Sequence, residues 1–124
     1  MIVGVGLDVV SVERWARALD KIANDVFTPA ELAGCADRAD RVDALAARFA
    51  AKEACLKALN TGVAQGMLRQ VEVMSSPSDA PSIQLSGALD ARARTAGVRR
   101  AHVSLSHQEG FAAAVVILEG VEKC

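Results

Sequence analysis

The sequence is poor in aromatic residues: it has no tyrosine, one tryptophan and three phenylalanines. Because 52% of the chain is nevertheless hydrophobic, its core must be built mainly from Ala, Val, Leu and Ile. The 124 residues are too few for two ordinary cores, so we expect one domain over residues 1–124. A chain this small often forms its substrate pocket between subunits, which is a reason to expect an oligomer.

Cysteine and histidine are also scarce. Cys35, Cys55 and Cys124 are widely spaced, form no Cys-x-x-Cys pair and make an odd count, and only two histidines are present. This pattern argues against a disulfide framework and gives little support to a zinc site. It is typical of a reduced, intracellular chain.

Strong net charge and long apolar runs are missing as well. The formal net charge is −1, which argues against nucleic-acid binding through bulk electrostatics. No apolar run reaches the roughly 18 residues that a membrane span needs, and no basic segment with a cleavage site stands at the N-terminus. We therefore expect a cytoplasmic protein that binds neither nucleic acid nor membrane.

Hydrophobic periodicity and turn residues predict an α+β fold, in which a small antiparallel-type sheet packs against a long central helix and shorter helices. The predicted strands are residues 2–10, 69–75, 82–86, 101–107 and 111–118, and the predicted helices are residues 12–24, 29–36, 42–59 and 87–96. Ser11 and the Thr28–Glu31 capping box mark two helix starts. The turn Gln108–Gly110 is expected to pair the last two strands, of which the final one is expected to be buried on both faces.

The predicted central helix carries a charged residue in an unexpected place. Its apolar residues recur at spacings of three, four and seven and predict one buried stripe: Val42, Leu45, Phe49, Leu56 and Leu59. Glu53 falls on that stripe, where a carboxylate is costly unless it is paired or binds a metal. An ion pair with Lys57, four residues on, is the simpler interpretation, but it does not explain why the pair lies on the apolar stripe.

The first strand carries a second carboxylate. Asp8 shares one strand face with Gly4 and Gly6, which leave room for something larger than a side chain to come close. Asp8 is thus a candidate metal ligand or general base, although, taken alone, it fits slightly better a residue that ends the strand and caps the next helix. The two glycines are not a dinucleotide-binding fingerprint, because position 9 is Val.

A basic stripe lies on the first predicted helix, formed by Arg14, Arg17 and Lys21. Such a stripe is usually a solvated face. Its functional interpretation is a docking site for an acidic helix or a phosphorylated ligand.

A polar row lies on one face of the strand 101–107, formed by His102, Ser104 and Ser106. It is either the polar face of a half-exposed strand or a hydrogen-bonding surface for a ligand. Neither serine is a predicted nucleophile, because the Gly-x-Ser-x-Gly elbow is missing.

Asp8 and Glu53 together suggest a metal site. Two carboxylates from different elements can hold a Mg²⁺ ion whose remaining ligands are waters and substrate phosphate oxygens. Lys52 and Lys57 lie within one turn of Glu53 and can neutralise such a phosphate. These residues predict phosphoryl-type transfer at a pyrophosphate.

Three segments of the sequence resemble the holo-[acyl-carrier-protein] synthases, the short type of 4′-phosphopantetheinyl transferase. They are Gly4–Asp8, Phe49–Ala54 with Lys57 and Ala58, and His102–His107. Each segment alone is a weak signature, but all three in this order and at these distances are specific to the family. The resemblance covers nearly the whole chain.

The resemblance implies transfer of the 4′-phosphopantetheine arm of coenzyme A to a serine of an acyl carrier protein, with release of adenosine 3′,5′-bisphosphate. It implies that Asp8 and Glu53 bind Mg²⁺, and that Lys57 neutralises the pyrophosphate or protonates the leaving group. The residues implied to contact coenzyme A are Arg48, Lys52, Lys57, Asn60, Thr61, Gly62, His102, Ser104 and Ser106.

The resemblance also implies a homotrimer with its sites at the subunit interfaces. Arg14, Arg17 and Lys21 are then expected to bind the carrier protein, with Arg14 the best match. The acceptor is either a discrete acyl carrier protein or the carrier domain of a fatty-acid synthase. The chain departs from the family pattern at Trp15 and in the 60–67 loop, both near expected substrate contacts.

Two functions of other classes use the same residues. A non-catalytic trimer that binds coenzyme A or a nucleotide would bind without turnover, but the intact Asp8, Glu53 and Lys57 argue against it. A Mg²⁺-dependent phosphohydrolase would use water in place of the serine, which leaves the basic stripe at Arg14 without a role.

Overall fold

The computed structural model describes residues 1–61, 65–76 and 79–121. The elements in chain order are β1 (Ile2–Ser11), α1 (Val12–Val26), α2 (Pro29–Cys35), α3 (Arg41–Ala58), a 3₁₀ helix (Gln65–Gln70), β2 (Val71–Ser76), β3 (Asp79–Leu85), α4 (Gly87–Thr95), β4 (Val98–Gln108) and β5 (Phe111–Gly120). The predicted α+β fold is confirmed, and every predicted helix and strand is present. The main differences are the 3₁₀ helix, which replaces a predicted loop, and the earlier starts of β3 and β4.

The strands form two antiparallel sheets. One has three strands in the order β1-β5-β4, and the other is the β2-β3 hairpin. The predicted pairing of β4 with β5 is confirmed, and Glu109 (φ 50°) and Gly110 (φ 83°) form the connecting turn. Positive φ at both residues is what a tight type I′ hairpin turn requires.

One face of the three-stranded sheet packs on α3, and the other is open in the single chain. The buried side of β5 is a row of small and branched residues, Ala112, Ala114, Val116 and Leu118, whereas Phe111 on the open side is 57% exposed. The expectation that β5 is buried on both faces is therefore wrong for one chain, because no layer of the described chain covers the second face. On β1, the residues Val5, Leu7 and Val9 are exposed on that same open side.

The close packing of β1 on α3 depends on two glycines. A Cβ atom at Gly6 would overlap the carbonyl oxygen of Ala54, and one at Gly4 would overlap that of Ala58. The expected close approach at these glycines is thus made by a helix backbone. It holds β1 and α3 together at the point where each carries a candidate site carboxylate.

The prediction of a single buried stripe on α3 is only partly right. Leu45, Leu56 and Leu59 are buried, but the helix also buries alanines on its other sides, because it lies between the sheet and the shorter helices. Phe49 and Glu53 are only partly buried and Lys57 is exposed, at spacings of four residues. Glu53 therefore lies on the accessible side of α3 and not on its core-facing stripe.

A buried ion pair joins α3 to α2. Lys52 Nζ donates to Glu31 Oε1 at 2.7 Å and to the carbonyls of Leu68, at 2.9 Å, and Val71. Both side chains are almost completely buried, and burial lowers the pKa of Lys52 while the Glu31 carboxylate opposes that effect. All three ammonium hydrogens are used inside the protein, so the pair is a structural link between helices and the β2 segment.

The Glu31 carboxylate also accepts hydrogen bonds from two backbone N–H groups. The predicted capping box is confirmed: Glu31 Oε1 accepts from the backbone N–H of Thr28 at 3.0 Å, and the Thr28 hydroxyl accepts from the Glu31 N–H. Glu31 Oε2 accepts from the N–H of Val73 at 3.0 Å. One carboxylate therefore caps α2, anchors β2 and pairs with α3.

None of the described helices combines the length and the apolar composition that crossing a bilayer requires.

We expect Gly6→Ala to lower the free energy of unfolding by about 3 kcal/mol, because the added methyl group forces α3 away from β1. Urea unfolding of the purified protein measures this loss. Gly34→Ala is the matched control, since a Cβ atom there would meet nothing within 4 Å and Ala favours the helix. Equal unfolding midpoints for the two variants would contradict the packing argument.

Candidate functional site

Asp8 of β1 and Glu53 of α3 lie beside Lys57, where the two elements pack together. Lys57 Nζ donates to Asp8 Oδ1 at 2.9 Å and to the Leu7 carbonyl at 3.0 Å. The ion pair of Lys57 is thus made with Asp8 on the neighbouring strand and not with Glu53 on its own helix. The Lys57 side chain stays 56% exposed, so the ammonium remains open to a ligand.

The two carboxylates influence each other electrostatically. Burial raises the pKa of Glu53, the negative charge of Asp8 raises it further, and the Lys57 ammonium opposes both effects. A cation between the two carboxylates would remove this repulsion. The two groups are therefore close enough for the charge of one to affect the other.

The carboxylates of Asp8 and Glu53 suit Mg²⁺ better than a metal whose ligands must all come from the protein. Among the residues that the structure describes, no group of three or more His, Cys, Asp or Glu side chains is arranged to hold a metal. Mg²⁺ is commonly bound by one or two carboxylates together with waters and substrate phosphates. Asp8 and Glu53 would be the two protein ligands.

A second feature of the site is a cavity of about 360 Å³ beside the N-terminal half of α3. Arg48 is 4% exposed and lines it; its guanidinium donates to the Ala44 carbonyl at 3.1 Å and to the Ser75 hydroxyl. The other residues that line the cavity are Arg38, Ala44, Ala47, Ser75, Ala80, Pro81, Val103, Ser104, Leu105 and His107. The predicted ligand-binding residue Arg48 is therefore held rigidly in a cavity wall.

His107 and Arg38 also line this cavity, although neither is a predicted site residue. Arg38 forms two hydrogen bonds with Asp40, at 2.8 and 2.9 Å, and His107 Nε2 lies 3.8 Å from Asp40 Oδ2. The Arg38 guanidinium lowers the pKa of Asp40, which keeps this carboxylate charged. A sequence signal exists for His107: by alternation it shares the inward face of β4 with Val103 and Leu105.

The polar row on β4 is divided between the cavity and the open sheet face. Ser104 lies in the cavity wall, whereas His102 and Ser106 are not among the described residues that line it. His102 Nε2 is 3.2 Å from Glu119 Oε1 on β5. Of the predicted row, the structure thus brings only Ser104 to the cavity.

Lys52 must be reassigned. Its side chain is 0% exposed and its ammonium is bound by Glu31 and two carbonyls, so it does not reach a coenzyme A phosphate. The sequence prediction for Lys52 is corrected to a structural role.

The turn after α3 contains two of the residues implied to contact coenzyme A, Asn60 and Thr61. Asn60 has φ 56°, and its N–H donates to the Lys57 carbonyl at 3.0 Å. Thr61 donates to the Leu56 carbonyl through both its N–H and its hydroxyl. Gly62, the third residue predicted here, lies outside the described residues.

The predicted basic stripe on α1 is exposed. Ser11 caps the helix, Arg17 pairs with Glu13 at 2.8 Å, and Arg14 and Lys21 are accessible to solvent. Trp15 faces inward between the rings of Phe27 and Phe49, with centroids at 5.8 and 5.9 Å. Trp15 therefore joins α1 to α3 in the core.

The two described cysteines are free and inaccessible. Cys35 and Cys55 are each 0% exposed. Burial raises the pKa of Cys35, and it raises the pKa of Cys55 to about 12. Cys124 lies outside the described residues.

Comparison with known proteins places this geometry in a family. A relative named holo-[acyl-carrier-protein] synthase, from Streptomyces griseus, is 46% identical over 97% of this chain and 100% of its own length. The crystal structure of the synthase of that name from Neisseria meningitidis has a TM-score of 0.85 and 33% identity, over 96% of this chain and 99% of its own. The Helicobacter pylori synthase in complex with coenzyme A has a TM-score of 0.78 and 31% identity, over 93% of this chain and 99% of its own.

The family match covers nearly the whole chain and includes Asp8, Glu53 and Lys57. Residues 4–116 match the family described as the 4′-phosphopantetheinyl transferase superfamily. The resemblance found in the sequence is therefore confirmed, and this chain belongs to the 4′-phosphopantetheinyl transferase superfamily.

Proposed function

We propose that this protein transfers the 4′-phosphopantetheine group of coenzyme A to a serine of an acyl carrier protein and releases adenosine 3′,5′-bisphosphate. The observation that carries the proposal is the grouping of Asp8, Glu53 and Lys57 in a chain of this superfamily. The relatives' shared name and the coenzyme A bound to the Helicobacter pylori structure support it.

The residues of the Asp8 site have distinct roles in this proposal. Mg²⁺ held by Asp8 and Glu53 would stabilise the negative charge that develops on the pyrophosphate. Lys57 is held 2.9 Å from Asp8, and its exposed ammonium is available to neutralise the pyrophosphate or to protonate the leaving phosphate oxygen. Asp8 and Glu53 therefore act as ligands and Lys57 as a cation or acid.

The phosphate-bearing nucleotide of coenzyme A fits the cavity beside Arg48. Arg38, Arg48 and His107 supply cationic or hydrogen-bonding groups around a volume of about 360 Å³. Arg48 and Glu53 are five residues apart on α3, about 7.5 Å along the helix axis and about 140° around it, so they point to different sides of the helix. The cavity and the Asp8 site are therefore proposed as two separate contact surfaces for coenzyme A.

The exposed stripe of Arg14, Arg17 and Lys21 is the proposed docking site for the carrier protein. Among the described residues, the Arg14 guanidinium has no ion-pair partner and is free to bind an acidic protein, whereas Arg17 forms an ion pair with Glu13. The acceptor is a discrete acyl carrier protein or the carrier domain of a fatty-acid synthase. We further propose that the protein works as one domain over residues 1–124, in the cytoplasm.

The open sheet face supports the proposed homotrimer. Val5, Leu7, Val9 and Phe111 are 56–60% exposed on one side of paired strands. A contiguous apolar surface of this kind marks an interface in most soluble proteins. Burying it between copies of the chain would give β5 the second buried face that its sequence predicts.

The experiment that tests the function is intact-mass analysis of an apo acyl carrier protein incubated with this protein, coenzyme A and Mg²⁺. We expect the carrier to gain roughly 340 Da, the mass of one phosphopantetheine group on serine, and to gain nothing with EDTA. Binding of coenzyme A with no gain on either a discrete carrier or a synthase carrier domain would favour the non-catalytic alternative.

Arg14→Glu separates transfer from hydrolysis in the same assay. Reversing this exposed charge should greatly slow modification of the carrier protein, because the acidic partner is then repelled. Any hydrolysis of coenzyme A would continue, since water needs no docking surface. Undiminished transfer by Arg14→Glu would refute the docking assignment.

Asp8→Asn and Glu53→Gln test the site carboxylates. We expect each to reduce Mg²⁺-dependent turnover at least about 100-fold, the scale seen when a preorganised charge-stabilising group is removed. Asp25→Asn, at an exposed position on α1, is the matched control and should retain activity. Near-normal rates in both site variants would show that these carboxylates do not bind a required metal.

Light scattering tests the oligomer. The wild-type protein should have the mass of three 13.0 kDa chains, and Val5→Asp should shift it towards one chain because a charge cannot be buried at that interface. A fully active wild-type monomer at the assay concentration would exclude a site shared between subunits.

A further inference from the structure

We infer that Arg92 of α4 is a positioning residue for the coenzyme A site, because its guanidinium holds the Leu59–Thr61 turn that follows α3. The inference rests on the proposed function and on the resemblance, which implies that Asn60 and Thr61 contact coenzyme A. Neither the family resemblance nor the sequence pattern assigns α4 a functional role.

The contact is a two-pronged hydrogen bond to consecutive carbonyls. Arg92 Nε donates to the Leu59 carbonyl at 3.0 Å, and a terminal nitrogen of the same guanidinium donates to the Asn60 carbonyl at 3.0 Å. Because α3 ends at Ala58, these carbonyls have no partner further along the helix. A planar cation at the negative end of the helix dipole satisfies both hydrogen bonding and charge.

The turn is held at three consecutive residues. Asn60 has a left-handed φ of 56°, a conformation that Asn adopts at many helix ends. Leu56 fixes the next residue, since its carbonyl accepts from the N–H of Thr61 at 3.0 Å and from the Thr61 hydroxyl at 3.3 Å. Arg92 fixes Asn60 itself, only three residues beyond Lys57.

The N-terminal end of α4 is anchored to Gln70, on the far side of the same connection. The N–H of Ser86 donates to the Gln70 carbonyl, and the N–H of Leu89 donates to its side-chain Oε1, both at 3.0 Å. Gly87 has φ 59°, and a Cβ atom there would lie 3.0 Å from Gln70 Cδ. Such a tight contact leaves little freedom at this end of the helix.

The buried face of α4 fixes its direction. Leu89 and Ala93 are buried in the core, so the helix cannot rotate without exposing them. Arg92 therefore extends from a rigid support, and its reach to the Leu59 and Asn60 carbonyls is set by the core. The helix α4 thus contacts Gln70 at its N-terminal end and, through Arg92, the turn after α3.

A neighbour on the same helix lacks these contacts. Arg94 donates to Asp90 of its own helix at 3.0 Å, and its side chain is 79% exposed. Arg92 and Arg94 thus share residue type and helix but differ in whether they touch the turn. This difference makes Arg94→Ala a matched control for Arg92→Ala.

The test compares wild type, Arg92→Ala, Arg92→Lys and Arg94→Ala by amide hydrogen exchange and by steady-state kinetics of carrier modification. In Arg92→Ala we expect the Asn60 and Thr61 amides to exchange about tenfold faster, the scale of one lost hydrogen bond. The KM for coenzyme A should rise by a similar factor while kcat changes less, because the turn contacts the ligand and not the reacting serine. Arg92→Lys should recover part of both effects, since its ammonium keeps the positive charge but lacks the planar pair of donors of the guanidinium.

Arg94→Ala should match the wild type in exchange and in KM. Wild-type exchange at Asn60 and Thr61 in Arg92→Ala would overturn the inference, and so would faster exchange with an unchanged KM, which would mean a merely structural role. If the wild type and Arg94→Ala bind coenzyme A but modify neither a discrete carrier protein nor a synthase carrier domain, the proposed function is refuted. The exchange comparison still decides in that case whether Arg92 holds the turn.

Discussion

Direct contact between the backbones of β1 and α3 is the constraint on which the rest of the structure depends. It exists because Gly4 and Gly6 have no side chains, so the carbonyls of Ala58 and Ala54 can lie against the strand. Asp8 is two residues beyond Gly6, and Glu53 directly precedes Ala54. The packing that closes the core therefore also sets the separation of the two carboxylates, and Lys57 pairs with Asp8 from one turn further along α3.

The buried Lys52–Glu31 pair complements this contact on the opposite side of α3. Breaking one partner of such a pair leaves an uncompensated charge in the interior, which is far more costly than the pair itself. Lys52 and Glu53 are adjacent in sequence but point to opposite environments, one to the core and one to the accessible side. The Lys52 contacts fix the rotation of α3 about its axis, and that rotation places Glu53 and Lys57 on the accessible side.

The sequence predicts the helices, the strands and the candidate site residues better than it predicts where each side chain lies. Asp8 and Glu53 are identified correctly as a neighbouring pair, although Glu53 is expected on the core-facing stripe. Lys52 is misassigned because local spacing cannot show that Glu31, 21 residues away, lies opposite it. His107 and Arg92 are missed because their partners, Asp40 and the Leu59 and Asn60 carbonyls, are brought near only by tertiary packing. The second face of β5 is wrongly predicted to be buried because sequence alone cannot show whether another layer of the same chain covers it.

The burial of Cys35 and Cys55 has a consequence for an enzyme of the proposed kind. Coenzyme A and the phosphopantetheine arm both end in a thiol, and thiol–disulfide exchange requires a thiolate that can reach its target. Both cysteines are 0% exposed, and the pKa of Cys55 is raised to about 12, so neither presents a thiolate at neutral pH. The fold thus keeps these two sulfur atoms from forming mixed disulfides with its own substrate or with the newly modified carrier.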